Sequence, residues 1–500
     1  MGPALKTVVP ANIWIAGALL ITALCSACSP RETGPDDPTS LSPLRLPPPP
    51  IRTDVDTMYS VATMTIVYTD VGFSPERLDI EAGDSVSFIN RSDGDFWPAS
   101  NIHPTHQILP EFDAEKIVPA GSQWTFRFDK PGFWRYHNHL GPGNGGIIVV
   151  SGEVAAVEPL NLELRNLDFE EPSPLSIQEY VDLFQNEEIL GAFVARHGPA
   201  FTVQVMAEGE AYMDVDCHQR AHDVGRLAYG LFGASAFALS SHECQAGAYH
   251  GATEALFRQR GTASLKEDIA AICSDTGNIF FRHQCVHGVG HGLMAWTSYE
   301  LFDTLPLCDQ LGDGMDRLSC YSGIFMENVV GGLSGSMGHQ TAYLSDDPHF
   351  PCNIVEKQYV SACYYYQTSR MLTLFNYDLE QVAQTCNEAP SSSQRDCFLS
   401  YGRDVGSMTR GDPERAIEMC AYAQGDGHRT ACIEGAVQDR FWDVSGANEA
   451  LMLCEMLVGA KERGACYWTI INRAKDLYPT TEGMVEFCSR VEPGYRLWCN

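Results

Sequence analysis

The chain has 500 residues and a formal charge of −31, from 64 acidic and 33 basic side chains. Apolar residues make up 44% of it, which is enough for buried cores and excludes a wholly disordered chain. The acidic excess argues against nucleic acid as a partner, because phosphates are bound by basic surfaces.

The N-terminus has the pattern of an export signal. An apolar run over residues 13–24 is short for a membrane span and typical of a signal peptide. It leads to Ser26-Ala27-Cys28, which resembles a bacterial lipobox and implies a lipidated cysteine, although Cys25 departs from that pattern. We expect residues 1–28 to be a signal peptide of lipoprotein type, with an ordinary signal peptide or an uncleaved anchor as alternatives. The protein is then expected in the periplasm or at the cell surface, in contact with the membrane through an N-terminal lipid or signal anchor.

The chain next changes from a tether to a strand pattern. Residues 29–57 are rich in Pro, Ser and Thr and predict a semi-rigid, extended tether. From residue 58 to 152, short apolar runs such as Ser85–Ile89 and Ile147–Val150 are separated by Gly and Pro turns. This spacing predicts a β-sandwich.

Two stretches of the predicted sandwich are distinctive: Gly72-Phe73-Ser74-Pro75 and Pro131-Gly132-Phe133-Trp134-Arg135-Tyr136-His137. In these stretches the domain resembles the cupredoxins, the plastocyanin and azurin type of copper protein. The resemblance implies a cupredoxin-like fold, but Asn138 stands about where that family has its copper-binding cysteine. Without a thiolate, a blue electron-transfer centre is not expected.

Four histidines remain close to that position: His103, His106, His137 and His139. His137 and His139 lie two apart on a predicted strand and therefore share a face. Imidazole ligands suit Cu(II) or Zn²⁺, so we expect these residues to bind copper, with zinc or another divalent metal as the alternative ion. The other interpretation is a hydrogen-bonded loop that only closes the sandwich.

Residues 153–200 are predicted to be a linker and first helices, and residues 201–500 a helical-repeat domain. Its cysteines form pairs 11 or 12 residues apart, and from Cys352 onward the first members recur every 34 residues. The seven pairs are Cys273 and Cys285, Cys308 and Cys320, Cys352 and Cys363, Cys386 and Cys397, Cys420 and Cys432, Cys454 and Cys466, and Cys488 and Cys499. The period resembles that of tetratricopeptide-like repeats and predicts an α-solenoid of disulfide-stapled hairpins, a fold that often binds protein partners. Cys217 and Cys244 are left to pair with each other or to act as thiolate ligands.

Histidines occupy one end of this predicted solenoid. The candidate site residues are His218, His222, His250, Glu254, His287, His291 and Glu327. Pairs four residues apart share a helix face, and similar offsets from successive cysteines predict that all seven converge on one pocket. Later repeats hold Ser369, Arg403 and Gln438 at the matching positions, so the scaffold itself does not require histidine. The alternative is a set of hydrogen-bonded core histidines.

Three functions fit these patterns. The first is an exported, membrane-anchored metal-binding protein of copper type. The second is a metal-dependent hydrolase or oxidase with its site in the histidine cluster. The third is a partner-binding scaffold whose cysteines and histidines are structural. Whether the protein is an enzyme is left open.

Overall fold

The protein was examined as a computed structural model, which describes residues 63–101, 106, 108–152, 159–160, 167–171, 173–213, 217–241, 243–273, 279–332, 341–425, 427–442, 444–478 and 480–499. The predicted signal peptide, the predicted tether and His103 lie outside these residues. The chain divides into two compact units, one built mainly of strands and one mainly of helices. The predicted fold class, a β-sandwich followed by disulfide-stapled helices, is confirmed.

The β domain has two four-stranded sheets, ordered β2-β1-β4-β6 and β3-β8-β7-β5. The strands are β1 (Thr63–Thr69), β2 (Gly72–Ser74), β3 (Arg77–Glu81), β4 (Ser85–Asn90), β5 (Pro98–Ser100), β6 (Gln123–Arg127), β7 (Gly132–Asn138) and β8 (Gly141–Ser151). Strands β1 and β4 run parallel, as do β3 and β8. Between the sheets, Phe88, Phe112 and Tyr136 pack with ring centroids 5.2–5.7 Å apart. Burial of these large rings stabilises the sandwich.

The helical domain consists of short helices joined into hairpins. They are α1 (Ile177–Gln185), α2 (Glu187–His197), α3 (Pro199–Met213), α4 (Cys217–Phe232), α5 (Ser235–Leu239), α6 (Gly247–Arg260), α7 (Leu265–Ile272), α8 (Ile279–Trp296), α9 (Leu301–Asp309), α10 (Gly314–Met326), α11 (Val360–Leu374), α12 (Leu379–Glu388), α13 (Gln394–Met408), α14 (Pro413–Met419), α15 (His428–Arg440), α16 (Ala447–Met456), α17 (Ala460–Leu477) and α18 (Thr481–Arg490). A π-helical segment, Glu327–Gly331, continues α10. Along the described chain, none of the helices has both the length and the apolar character needed to cross a bilayer.

Eight disulfides staple these hairpins, and all seven predicted ladder pairs are bonded. Cys217 and Cys244 bond to each other, so they are not free thiolates. Within each ladder pair the closed loop is short, and each bridge adds about 2–3 kcal/mol in a chain-entropy account.

The second helix of each hairpin packs on the second helix of the next, so that α4, α6, α8 and α10 form a row, as do α11, α13 and α15. Glycines permit this close approach. A Cβ at Gly251 would clash with the His222 carbonyl oxygen, and one at Gly323 would clash with the His287 carbonyl oxygen. The backbones therefore approach more closely than larger residues would allow, which brings the histidines of neighbouring helices together.

Candidate metal centres

Three histidines of the β domain form one group, which we call the sandwich site: His106, His137 and His139. One nitrogen or the other of each ring lies within 4.8 Å of the others in the group. The group forms where β7 ends, because His137 lies in that strand and His139 follows it. The backbone of His139 is fixed by donating its N–H to the Trp97 carbonyl, 2.7 Å away.

Hydrogen bonds orient the rings of the sandwich site. Asp113 accepts from His106 Nδ1 at 2.6 Å and from the Trp97 indole at 2.6 Å. Burial alone would raise the pKa of Asp113, but donors that include the Glu115 backbone N–H, Trp97 and His106 lower it overall. An ionised Asp113 leaves His106 Nε2 as an acceptor, and His139 Nδ1 lies 2.9 Å from it. Because His139 is able to donate there, the two rings also form a satisfactory pair without a metal.

Asn138 has a structural role at the place where the resemblance puts a cysteine. Its carbonyl oxygen accepts the backbone N–H groups of Trp97 and Leu140, and its amide nitrogen donates to the Tyr68 hydroxyl. The side chain is thus fully used in tying the loops together, and it offers no thiolate.

The structure brings together all seven site residues that were predicted in the helical domain. We call these seven residues the helical cluster. Helix α4 carries His218 and His222; α6 carries His250 and Glu254; α8 carries His287 and His291; Glu327 follows α10. All five imidazoles are at most 4% exposed. The ring centroids of His218, His222 and His250 are 4.8, 5.2 and 5.2 Å apart.

In the first histidine pair, two lone pairs face each other. His218 Nδ1 donates to the Cys244 carbonyl at 2.9 Å, and His222 Nδ1 donates to Glu254 at 2.8 Å. In the neutral form of both rings, these contacts place the one N–H on Nδ1 and a lone pair on Nε2. These two Nε2 atoms nevertheless lie only 3.3 Å apart.

The second pair has the same arrangement. His291 Nδ1 donates to Glu327 at 2.5 Å. Ser322 directs its own hydroxyl proton to the Ser319 carbonyl, so its oxygen accepts from His287 Nδ1 at 2.9 Å. The Nε2 atoms of His287 and His291 are 3.1 Å apart, and in the neutral form of both rings each presents a lone pair to the other.

His250 lies on α6, between α4 and α8, the two helices that carry the histidine pairs. Neither of its ring nitrogens has a hydrogen-bond partner among the described residues, although the side chain is only 2% exposed. His250 forms one group with His218 and His222 and another with His287 and His291, and in each group one nitrogen per ring lies within 4.8 Å of the others. An unpartnered buried imidazole is costly, which indicates that something absent from the protein chain completes its environment.

Burial favours the neutral form of His218, His250 and His287. It lowers the pKa of His218 to about 3, with a further contribution from His222. Burial and the adjacent His291 hold the pKa values of His250 and His287 well below their usual range. Neutral imidazoles have a lone pair to offer a metal ion.

Glu254 and Glu327 contact the outward nitrogens of the histidines. Burial alone would raise the pKa of Glu254, but Arg226, 2.6 Å away, and His222 lower it below its usual range. Carboxylates bonded to the far nitrogen of an imidazole are typical of the outer partners that orient metal-binding histidines.

The sequence patterns missed several functional neighbours. Met326 lies with its sulfur 3.3 Å from His287 Nε2. Asp113 orients His106 in the sandwich, and Ser322 orients His287 in the helical cluster. Met326 lies at the same distance after Cys320 as His250 lies after Cys244 and His291 after Cys285. This shared spacing was the signal available in the sequence.

No protein-family model and no curated protein matches the chain. Among solved structures, the chain is similar to a purple cupredoxin from Nitrosopumilus maritimus, with 20% identity, coverage of 18% of this chain and 99% of that chain, and a TM-score of 0.16. It is also similar to amicyanin variants in the reduced and Cu(I) states, each with 19% identity, coverage of 18% of this chain and 82% of that chain, and a TM-score of 0.16. Each of these matches covers less than a fifth of this chain.

Proposed function

We propose that this protein binds metal ions of copper type outside the cytoplasm, at the sandwich site and at the helical cluster. The observation that carries the proposal is the close approach of two buried Nε2 atoms, 3.3 Å in His218 with His222 and 3.1 Å in His287 with His291. Two lone pairs at this distance repel each other unless a proton or a cation lies between them. A metal ion between the two nitrogens would use both lone pairs and remove this repulsion.

The distances agree with this proposal. Nitrogens that lie about 2.0–2.1 Å from one tetrahedral ion are about 3.3–3.4 Å from each other. A centroid about 3.2 Å from the ion places two such rings about 5 Å apart. The Nε2 atoms of the first pair are 3.3 Å apart, and its centroids with that of His250 are 4.8–5.2 Å apart. His218, His222 and His250 would therefore hold an ion with little rearrangement.

Copper is proposed for the sandwich site because three imidazoles without a thiolate suit Cu(II). His106, His137 and His139 would be its ligands, with His103 as a fourth candidate outside the described residues. Zinc or another divalent metal is the alternative, since imidazole binds these ions as well.

The location rests on the disulfides. Eight disulfides persist in an oxidising compartment and are rare in the cytoplasm, which supports a periplasmic or cell-surface protein. Attachment to the membrane through an N-terminal lipid or signal anchor, and a protein partner on the solenoid, belong to the same proposal.

A metal-dependent hydrolase or oxidase is the second candidate function, and a cavity of about 730 Å³ favours it. The cavity is lined by Cys217 and Cys244, and the Cys244 carbonyl accepts from His218. Phe280, Phe281 and Trp442 also line it, and aromatic side chains are usual in small-molecule sites. Uptake of O₂ in the presence of a reducing agent such as ascorbate would support the oxidase, and loss of that uptake on filling the cavity through Ser445→Trp would place the substrate there.

The metal content of purified protein tests the proposal. Protein folded in an oxidising compartment is loaded with copper, desalted and analysed for metal per chain. His218→Ala with His222→Ala should remove helical-cluster copper, and His137→Ala with His139→Ala should remove sandwich copper. A matched control replaces His197 and His428, two histidines that bond to backbone carbonyls outside both sites. If both site variants kept the metal content of the wild type, or if the wild type bound no metal, the proposal of metal binding would fail. The partner-binding scaffold would then be the remaining function.

A further inference from the structure

We infer that the helical cluster holds two ions of different chemistry, and that His287, His291 and Met326 form a second pocket that prefers Cu(I). The inference deepens the proposed function and rests on the binding of metal by the helical cluster. The first pocket is His218, His222 and His250, whose ligands are all imidazole nitrogens.

The second pocket has its own set of ligand atoms. His287 Nε2 lies 3.1 Å from His291 Nε2 and 3.3 Å from the Met326 sulfur. In the tautomer in which His287 Nδ1 donates to Ser322, Nε2 has no hydrogen to give to the thioether sulfur. Three electron-pair donors thus face one another in a buried space, and a cation would relieve their repulsion.

His250 belongs to the first pocket. A nitrogen lone pair lies in the plane of its ring, so two parallel stacked rings direct their lone pairs into separate planes. His250 stacks on His291 with centroids 4.4 Å apart and an interplanar angle of 13°. Toward His218 and His222 it is inclined by 78°, which allows the lone pairs of the three rings to converge. One ion shared evenly by all five histidines is therefore a poor fit to these rings.

The ligand types distinguish the two pockets. Soft thioether sulfur favours Cu(I), whereas imidazole nitrogen accepts Zn²⁺, Cu(II) and other divalent ions. All sixteen cysteines of the helical domain are in disulfides, so they are not thiolate ligands. Met326, at 5% exposure, supplies a soft ligand in contact with the facing histidines.

The test uses the full chain with the sandwich site removed by His137→Ala and His139→Ala. This protein is titrated with Cu(I) against a chromophoric competitor, and X-ray absorption of the loaded sample reports sulfur bound to copper. We expect two Cu(I) per chain and a sulfur neighbour. Met326→Leu should lose that sulfur neighbour and one tightly bound Cu(I), while the other Cu(I) is kept.

Met371→Leu is the matched control, because Met371 is a fully buried methionine on α11 and Leu conserves its volume. It should change neither the number of ions nor the sulfur signal. One or two Cu(I) with nitrogen neighbours alone would overturn the second pocket while leaving metal binding intact, and a single Cu(I) with a sulfur neighbour would overturn the first pocket as a second Cu(I) site. No copper at all on this protein would instead overturn the proposed function of the helical cluster.

Discussion

Glu254 brings a negative charge into the interior beside the first histidine pair. It accepts from His222 Nδ1 and from Arg226, so it fixes both the tautomer and the direction of the His222 ring. We expect Glu254→Gln to weaken metal binding at this pocket by about 10-fold to 100-fold, because an amide holds the tautomer less firmly. Competition titration with the metal measures this change.

Glu434→Gln is the control for that substitution. Glu434 also pairs with an arginine, Arg395, at 2.6 Å, but it lies on α15, outside the helices that carry the helical cluster. It should leave the metal affinity as it is. Equal affinities for wild type and Glu254→Gln would show that the carboxylate does not position His222.

Asp439 makes the stability of the helical domain depend on pH. Burial raises its pKa to about 7, and neither carboxylate oxygen has a hydrogen-bond partner among the described residues. In the unfolded chain an aspartate titrates near about 3.9, so between these values the folded state binds more protons than the unfolded state. The free energy of unfolding therefore falls as pH rises from about 4 to about 7, by up to about 1.4 kcal/mol per pH unit.

Asp439→Asn removes this titration, so the helical domain should lose less stability between pH 5 and pH 8 than the wild type does. Denaturant unfolding at the two pH values measures the difference. Asp346→Asn, at a fully exposed side chain, should keep the wild-type dependence. An identical pH dependence in Asp439→Asn and the wild type would mean that Asp439 is ionised throughout.

At the scale of helices, glycine contacts bring the metal-binding residues together. Gly251 on α6 lies against the backbone of His222 on α4, and Thr253 donates to the Gly288 carbonyl of α8 at 2.8 Å. We expect Gly251→Ala to push α4 and α6 apart, to destabilise the domain by about 1–3 kcal/mol and to weaken metal binding. Unfolding and metal titration of the same variant report both effects.

Gly230→Ala, on α4, provides the comparison. An added Cβ there meets nothing within 4 Å, so this variant should gain up to about 1 kcal/mol from helix propensity and bind metal normally. If the two alanine variants behaved alike, close helix approach would not be what assembles the cluster.

The helix register was predictable from the sequence, but the contacts between helices were not. Cysteines at a fixed period align the second helices, so similar offsets predicted that His222, His250 and His291 meet. Partners such as the Cys244 carbonyl and Ser322 come from neighbouring helices and leave no periodic signal. Met326 was missed because one methionine in an apolar helix is usually core packing.

The way in which a helix begins was likewise only partly predictable from the sequence. Ser176 and Glu179 form a complete capping box at the start of α1, with Ser176 in an extended conformation. Ser264 and Glu267 have the same spacing, yet Ser264 has φ −110° and ψ 28° and makes no side-chain cap. Its backbone conformation, which the local sequence did not determine, directs the hydroxyl away from the helix amides.

For the whole molecule, the cysteines set how each unit responds to reduction. All eight disulfides lie in the helical domain, and the β domain contains no cysteine. Reduction in mild denaturant should therefore release the helical-cluster ions and leave sandwich copper bound, because only the helical domain loses cross-links. Metal analysis after desalting measures the release. If copper left the sandwich site as fast as the ions left the helical cluster, the two domains would not respond independently to reduction.

The central claim is that metal ions lie between the facing Nε2 atoms of the helical cluster. Anomalous X-ray diffraction at the copper edge, from crystals of the copper-loaded full chain, tests it most directly. We predict an anomalous peak about 2.0–2.1 Å from the Nε2 atoms of His218 and His222. Well-ordered rings with no peak between them, and with a proton or water in that position, would contradict the claim.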